Sequence, residues 1–286
     1  MSARTVFRRT MISAALSCIV AACVLTGCGG PAPDPLPEGV EASLVQQRSD
    51  VAGRQAQLRI RNGSDSAVTI GEVSIADPRF VEPAQRVVDR TSVRAPGGSV
   101  DVRIQLAPVD CDAADAATST LTLHYVVEGA TGVGVAPVEE QVPFLTALHA
   151  AECLRERVDE VAEITFGRFT PSPAESPATL ELVIAGTGTD AGTLKVRDIR
   201  ETNLLGFVDG EPQYAVEKSG DVTVGLPLIP ARCDPHAVQE DKRGTVFRVD
   251  VELDGVEGSF DLAATPELRA DILSWVADWC GYGPDA

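Results

Sequence analysis

The sequence predicts an all-β chain of two tandem antiparallel β-sandwich domains, the second ending in a short C-terminal helix. Three observations predict it. Apolar residues alternate with period two in many short runs, among them Leu58 and Ile60; Val68 and Ile70; Val100, Val102, Ile104 and Leu106; Leu121, Leu123 and Tyr125; Leu180, Leu182 and Ile184; and Val222, Val224, Leu226 and Leu228. That is the periodicity of strands with one buried face. Turn-forming residues separate the runs, at Asn62-Gly63, Ala95-Pro96-Gly97-Gly98, Gly129 to Gly134, Gly186 to Gly192 and Asp254-Gly255. Finally, the chain matches itself when slid by 122 positions: Gly98, Val100, Val102, Pro108, Cys111 and Asp112 fall on Gly220, Val222, Val224, Pro230, Cys233 and Asp234. Leu58, Tyr125 and Val127 likewise fall on Leu180, Phe247 and Val249, so the two domains read as copies of one unit.

The chain begins with an export signal over residues 1–27. Arg4, Arg8 and Arg9 form a positive start, and Ile12 to Leu25 is apolar without a charge. The apolar run is shorter than the roughly 20 residues that a bilayer-spanning helix needs. Leu25-Thr26-Gly27-Cys28 resembles the lipobox of bacterial lipoproteins. That resemblance implies cleavage before Cys28 and acyl chains such as palmitate on its thiol, which would hold the protein on a membrane. An ordinary secretory signal cut elsewhere would instead leave Cys28 as one more thiol. Arg8-Arg9-Thr10-Met11 also resembles a twin-arginine signal loosely. Residues 28–39 are a Pro-rich tether, because the alternate prolines Pro31, Pro33, Pro35 and Pro37 favour an extended conformer.

The length of 286 residues suits two domains at roughly 100 to 200 residues each. These are placed at 40–156 and 157–286. With 24 Lys+Arg against 42 Asp+Glu the net charge is −18, and loss of the signal makes it −21. Such acidity repels phosphate backbones, so nucleic acid is not an expected partner. Both methionines, Met1 and Met11, lie in the signal, which excludes a Met-rich copper site.

The stretch Leu58 to Ile70 with its Asn62-Gly63 turn, and the proline-glycine turn leading into Val100 to Leu106, resemble the immunoglobulin-like modules of bacterial envelope proteins. The resemblance implies an immunoglobulin-like β-sandwich for each domain. As a whole the chain resembles uncharacterised actinobacterial lipoproteins of this layout, a resemblance that assigns no activity.

Cysteine usage fits export. Cys18 and Cys23 leave with the signal and Cys28 takes the lipid, which leaves four cysteines, an even number suited to an oxidising compartment. Of the three possible connectivities, the repeat selects Cys111 with Cys153 and Cys233 with Cys280, one bridge per copy. The chain-entropy model gives roughly 4 kcal/mol for each loop. In the second copy, Thr265-Pro266-Glu267 is a helix start and Gly281 a stop, with Leu268, Ile272, Val276 and Trp279 on one face. Trp275 and Trp279 are read as core rather than as a sugar-stacking platform. Between the copies, the short charged stretch Arg155 to Asp159 is expected to be a compact hinge.

Few residues promise chemistry. Asp250, Glu252, Asp254, Gly255 and Asp261 imitate the spacing of a calcium loop, but the alternation of Phe247, Val249, Val251 and Leu253 makes this a hairpin. His236 stands beside a potential acid partner in Cys233-Asp234-Pro235-His236, which is read as a turn. His124 and His149 are expected to be structural or exposed. Asp110, Asp112 and Asp115 form an acidic loop that could hold a hard cation but reads as solvated. No GxSxG, P-loop, dinucleotide or HExxH motif occurs. The expectation is therefore a lipid-anchored, extracytoplasmic, non-catalytic binding or scaffolding protein without cofactor or metal, engaging an envelope protein or wall polymer. Two alternatives are an accessory lipoprotein that captures a small ligand or metal ion for a transporter, and a hydrolase with a site near His236.

Overall fold

In the computed structural model, two hydrophobic cores follow one another along the chain; the structure describes residues 33–114, 118–188, 192–208, 221–240 and 243–282. The expected signal, Cys28 and Asp115 lie outside the described residues. No helix among the described residues is long and apolar enough to cross a membrane.

The first core is enclosed by β1 (Val40–Val45), β2 (Gln55–Asn62), β3 (Val68–Ala76), β4 (Ala84–Arg86), β5 (Ser92–Arg94), β6 (Ser99–Gln105), β7 (Ser119–Val127) and β8 (Ala130–Glu140), with the single-turn helix α1 (Arg48–Val51) between β1 and β2. These strands form one sheet in the order β4-β6-β2-β1-β8-β7-β3-β5, and pairing of β3 with β4 closes seven of them into a ring. The expected open sandwich is therefore stitched at both sides. Each seam is short: β1 runs parallel to β8 at Ser43↔Glu139 and Leu44↔Glu140, and β3 meets β4 at Ser74↔Gln85 and Ile75↔Ala84. Closure gives edge backbone groups partners within the domain.

The second core lies between a four-stranded and a three-stranded sheet. With β9 (Ala162–Thr170), β10 (Ala178–Gly186), β11 (Leu194–Arg200), β12 (Leu205–Phe207), β13 (Val222–Pro230), β14 (Val246–Leu253) and β15 (Val256–Ala263), the orders are β12-β13-β10-β9 and β11-β14-β15. This connectivity matches that of an immunoglobulin constant-type sandwich, where strands A, B, E and D face C, F and G. The first domain has the same order before its seams are added. A short helix, α3 (Pro235–Glu240), precedes β14.

The repeat needs one correction. Both final hairpins turn on two residues with positive φ, Glu128-Gly129 and Asp254-Gly255, which lie 126 positions apart. The second copy therefore carries four extra residues between Cys233 and its hairpin, in the stretch that includes α3. Fully buried Phe247 thus takes the place of fully buried Leu121, not of Tyr125. The glycines from Gly129 to Gly134 also depart from expectation. Only Gly129 turns the chain, while Gly132 and Gly134 lie within β8, where the Tyr125 ring covers Gly132 and the Pro35–Leu36 backbone lies against Gly134.

Each domain ends in a helix whose cysteine bridges back to its own sheet: Cys111 with Cys153, and Cys233 with Cys280. The second of these, α4 (Pro266–Trp279), starts as its sequence predicts, with the Thr265 hydroxyl accepting from the Leu268 N–H, Pro266 at the first position and Gly281 in the left-handed region after the last turn. The first, α2 (Leu145–Val161), has no capping side chain of its own. The Glu140 carboxylate reaches forward from β8 and accepts from the N–H groups of Phe144 and Leu145. Its stretch Arg155 to Asp159 is not a hinge: it lies within the helix, which runs straight into β9.

Helix α2 belongs to both cores. Leu145 and Leu148 pack into the first, whereas Leu154, Val158 and Val161 pack into the second. At 100° per residue those two groups sit roughly 140° apart around the helix axis.

Candidate functional site

The joint between the domains forms a crevice floored by α2. Its first wall is the corner joining α1 to β2, and that corner is held from within. The buried Asp50 carboxylate accepts from the Gln47 N–H at 3.1 Å and from Gln57 Nε2 at 3.0 Å. Arg54, in the left-handed region at φ 48°, then turns its guanidinium onto α2. Its Nε and Nη2 donate to the two oxygens of Glu152 at 2.6 Å each, while Nη1 and Nη2 also donate to the carbonyls of Leu106 and Ala107. This two-pronged pair is the strong form of the Arg–carboxylate contact, and it ties β2, the end of β6 and α2 together.

The opposite wall comes from β14 and β15 of the second domain. Leu154 presses onto the backbone of Gly258, where a Cβ would lie 2.5 Å from Leu154 Cδ2. The next residue along, Arg155, has its guanidinium 4.7 Å above the centre of the Phe260 ring and donates to Asp159 and to the carbonyl of Ile164. Arg243, Val246, Arg248, Asp261 and Ala263 complete this wall. The space enclosed is about 470 Å³, and Phe144, Ala147 and Leu148 line it from α2 and its start. Asp261 accepts from Arg243 Nη2, and Arg248 Nη1 lies 4.0 Å from the same carboxylate. Arg248 gives its Nε and Nη2 to the Ser259 hydroxyl at 2.9 and 2.6 Å.

The residues that imitate a calcium loop are already spoken for. Asp250 pairs with Arg200 at 2.7 Å, Glu252 with both Lys195 and Arg197, and Asp261 with Arg243. Hydrogen bonding from Lys195 and then Arg197 holds the Glu252 carboxyl below its ordinary range. Asp254, in the hairpin turn, accepts from the N–H of Thr193 just before β11 at 2.8 Å. Strand alternation aims these carboxylates at neighbouring cations, so they do not converge on a centre. Among the described residues no group of three or more His, Cys, Asp or Glu is placed to hold a metal ion.

His236 is exposed at the start of α3, where its backbone N–H donates to Asp234 Oδ1. His124 is exposed on β7, whereas His149 is buried on α2 with Nε2 2.9 Å from the Asp110 carbonyl. Asp110 accepts from the Asp112 N–H through its side chain, which is turn geometry. Trp275 is buried edge-on to Phe169 at 5.6 Å, and its Nε1 donates to Ser172; Trp279 Nε1 donates to the Ser176 carbonyl. Both rings are thus fastened to the turn after β9, and no stacking platform is exposed.

One buried polar network had no signal in the sequence. Asp77 and Arg79, with side chains 0% and 3% exposed, form a two-pronged ion pair at the end of β3. Ser119 donates to Asp77 at 2.6 Å, and Arg79 donates to the Thr146 hydroxyl at 2.8 Å. The pair thereby connects β3, β7 and the first turn of α2. Burial pushes the Asp77 carboxyl up, but hydrogen bonds from the Arg79 guanidinium, the Ser119 hydroxyl and the Arg79 amide outweigh it and hold the group below its ordinary value.

No protein-family model matches the chain, and no curated protein matches it. Solved structures match at low similarity. The CupB2 chaperone of Pseudomonas aeruginosa is 15% identical with a TM-score of 0.25, the match covering 79% of this chain and 100% of that one. The CsuC–CsuE chaperone–tip adhesion subunit pre-assembly complex of Acinetobacter baumannii gives 6% and 0.22, covering 73% and 91%. Spo0M, a sporulation control protein of Bacillus subtilis, gives 10% and 0.21, covering 84% and 98%. At these scores the likeness assigns neither family nor activity.

Proposed function

We propose that this protein is a non-catalytic, lipid-anchored binding protein on the outer face of a cell membrane. Two immunoglobulin-like domains hold a small ligand in the crevice between them. The observation that carries the reading is the crevice itself, a space of about 470 Å³ whose floor is a helix packed into both cores. A site built on one rigid element keeps its shape before the ligand arrives, which lowers the cost of binding. Two disulfides suit an oxidising compartment outside the cytoplasm. The anchor rests on the lipobox-like Leu25-Thr26-Gly27-Cys28.

A second reading, scaffolding through an envelope protein, is favoured by an apolar edge on the first domain. Val81, Val87, Val88 and Val93 are 60%, 41%, 57% and 59% exposed around β4 and β5. No comparable observation favours hydrolysis at His236.

The test is gentle purification from membranes followed by native mass spectrometry, comparing the wild type with Cys28→Ala and Ala147→Trp. Ala147 is an exposed position on the crevice floor, so the larger ring fills the space and leaves both cores intact. The proposal expects detergent-dependent release of the wild type only, and a bound mass that Ala147→Trp loses. A Cys28→Ala protein that stays membrane-bound contradicts the anchor, and a ligand mass unaffected by Ala147→Trp contradicts the site.

A further inference from the structure

We infer that the first domain carries a second site, independent of the crevice, that takes a phosphate group between Arg86, Arg90 and Arg103. The three arginines line one space of about 280 Å³ where the chain leaves β4 and passes beside β6. The Val87 N–H donates to the Arg103 carbonyl at 2.9 Å, which carries the β4–β6 ladder one residue past the Arg86↔Ile104 pair. Arg86 is half-buried and fixed from two other strands. Its Nη1 donates to the Gly71 carbonyl on β3 at 2.7 Å and its Nη2 to the Ser92 hydroxyl on β5 at 3.3 Å. Both partners are neutral, and they occupy two of the five guanidinium N–H groups. By contrast, Arg54, Arg59, Arg61 and Arg79 of the same domain each pair with a carboxylate. No carboxylate of a described residue lies within ion-pair distance of Arg86, Arg90 or Arg103.

Charge and oxygen count select the ligand. The one carboxylate that lines the space, Asp101, already gives its two oxygens to Arg59 at 2.8 and 3.0 Å. Asp89 stands near Arg86, and the buried Asp50 lies behind Gln57. Even with these counted, the four guanidinium groups of Arg59, Arg86, Arg90 and Arg103 outnumber the three carboxylates, in a chain where acids outnumber bases 42 to 24. Burial, and then the charge of Arg90, push the Arg86 guanidinium below its ordinary value, and Asp89 offsets them only in part. Holding two like charges together on a partly buried group is costly, and an anion between them removes that cost. A carboxylate presents two oxygens and satisfies one arginine fork. A phosphate presents three or four, enough for guanidinium groups that approach from β4, from the loop after it and from β6. The exposed side chains of Val87 and Val88 line the same space and can cover the apolar part of an ester. Inorganic phosphate, a soluble phosphate ester and a phospholipid headgroup share this chemistry.

The experiment is calorimetric titration of the full chain in non-ionic detergent micelles, with empty micelles subtracted, at about pH 8, where a phosphate ester carries close to two charges. The probes are inorganic phosphate, phenyl phosphate and dihexanoyl phosphatidic acid, with benzoate for comparison. The inference expects one-to-one binding of at least one phosphate probe, about tenfold or more tighter than benzoate, and the tightest of the three identifies the source of the group. Arg103→Gln, an exposed change expected to leave the thermal melt unaltered, should weaken that probe about tenfold, and Arg86→Gln at least as much. Arg61→Gln, on the same sheet face but outside the space, and Ala147→Trp in the crevice should both leave the affinity unchanged. No binding by any phosphate probe, or benzoate binding as tightly, overturns the inference. Equal losses for Arg103→Gln and Arg61→Gln reveal diffuse attraction and overturn the site. Binding lost in Ala147→Trp overturns the location, while the crevice reading stands.

Discussion

The two domains share a strand order but solve the problem of their sheet edges differently. The first closes into a ring through two seams of two residue pairs each, and its core is almost wholly aliphatic, with Leu44, Leu58, Ile60, Ile70, Ile75, Ile104, Leu121 and Leu123 fully buried. The second stays open between its sheets and adds rings to an aliphatic core, Phe166 against Phe247 at 5.2 Å and Phe169 against Trp275 at 5.6 Å. Two helices then pack into it, α4 from its own domain and α2 from the first. The ring that pairs its own edges manages with aliphatic side chains, whereas the open sandwich adds aromatic ones and the helices packed against it. The dependence runs one way, from the second domain to the helix that finishes the first.

This contrast can be broken on either side. The largest effect is expected from Phe247→Ala, which empties the centre of the open sandwich and should cost about 4 kcal/mol. Amide hydrogen exchange should accelerate across β9 to β15 and little in β1 to β8. Arg79→Ala should do the reverse, leaving Asp77 buried without its partner at a cost of about 3 kcal/mol, with exchange accelerating in β3, β7 and the first turn of α2. Val158→Ala, on the C-terminal half of α2, should cost roughly 2 kcal/mol and register in the second domain although the residue belongs to the helix of the first. Equal acceleration in both domains for any of these variants would show that the contrast is not real.

Acid sharpens the comparison further. Because the folded carboxyl of Asp77 sits below its unfolded value near 4, its contribution is present above that value and is lost as pH falls through the lower folded one. The first domain should therefore lose stability over that acidic window, a loss that Asp77→Asn removes; the unfolding midpoint followed by exchange in β3 and β7 checks it. The smallest effect is expected from Arg248→Gln, within about 0.5 kcal/mol of wild type, because its contacts are exposed. A thermal melt checks it.

Much of this was legible in residue order. Period-two alternation located seven of the fifteen described strands, β2, β3, β6, β7, β10, β13 and β14; Thr265-Pro266-Glu267 located α4, and Asp254-Gly255 located the last hairpin, each because one local rule governs the segment. Helix α2 was not legible as a helix. Its apolar residues face one core over Leu145 and Leu148 and, about 140° around the axis, the other core over Leu154, Val158 and Val161, so no single stripe marks it. Its cap, Glu140, is supplied by the preceding strand instead of the capping position. The Asp77–Arg79 pair, two residues apart in a turn, reads as surface until its Ser119 and Thr146 partners are known. The crevice escaped for the same reason: Arg54, Arg155, Arg243 and Arg248 are spread over almost 200 positions and meet only across the joint that α2 makes.

The central claim is that α2, packed into both cores, fixes the second domain on the first and so preforms the crevice. The direct measurement is the distance distribution between spin labels at Ala67 and Ser274, exposed positions in the two domains, introduced as encoded amino acids so that the disulfides remain intact. The account predicts one narrow population. A broad or two-peaked distribution would contradict it.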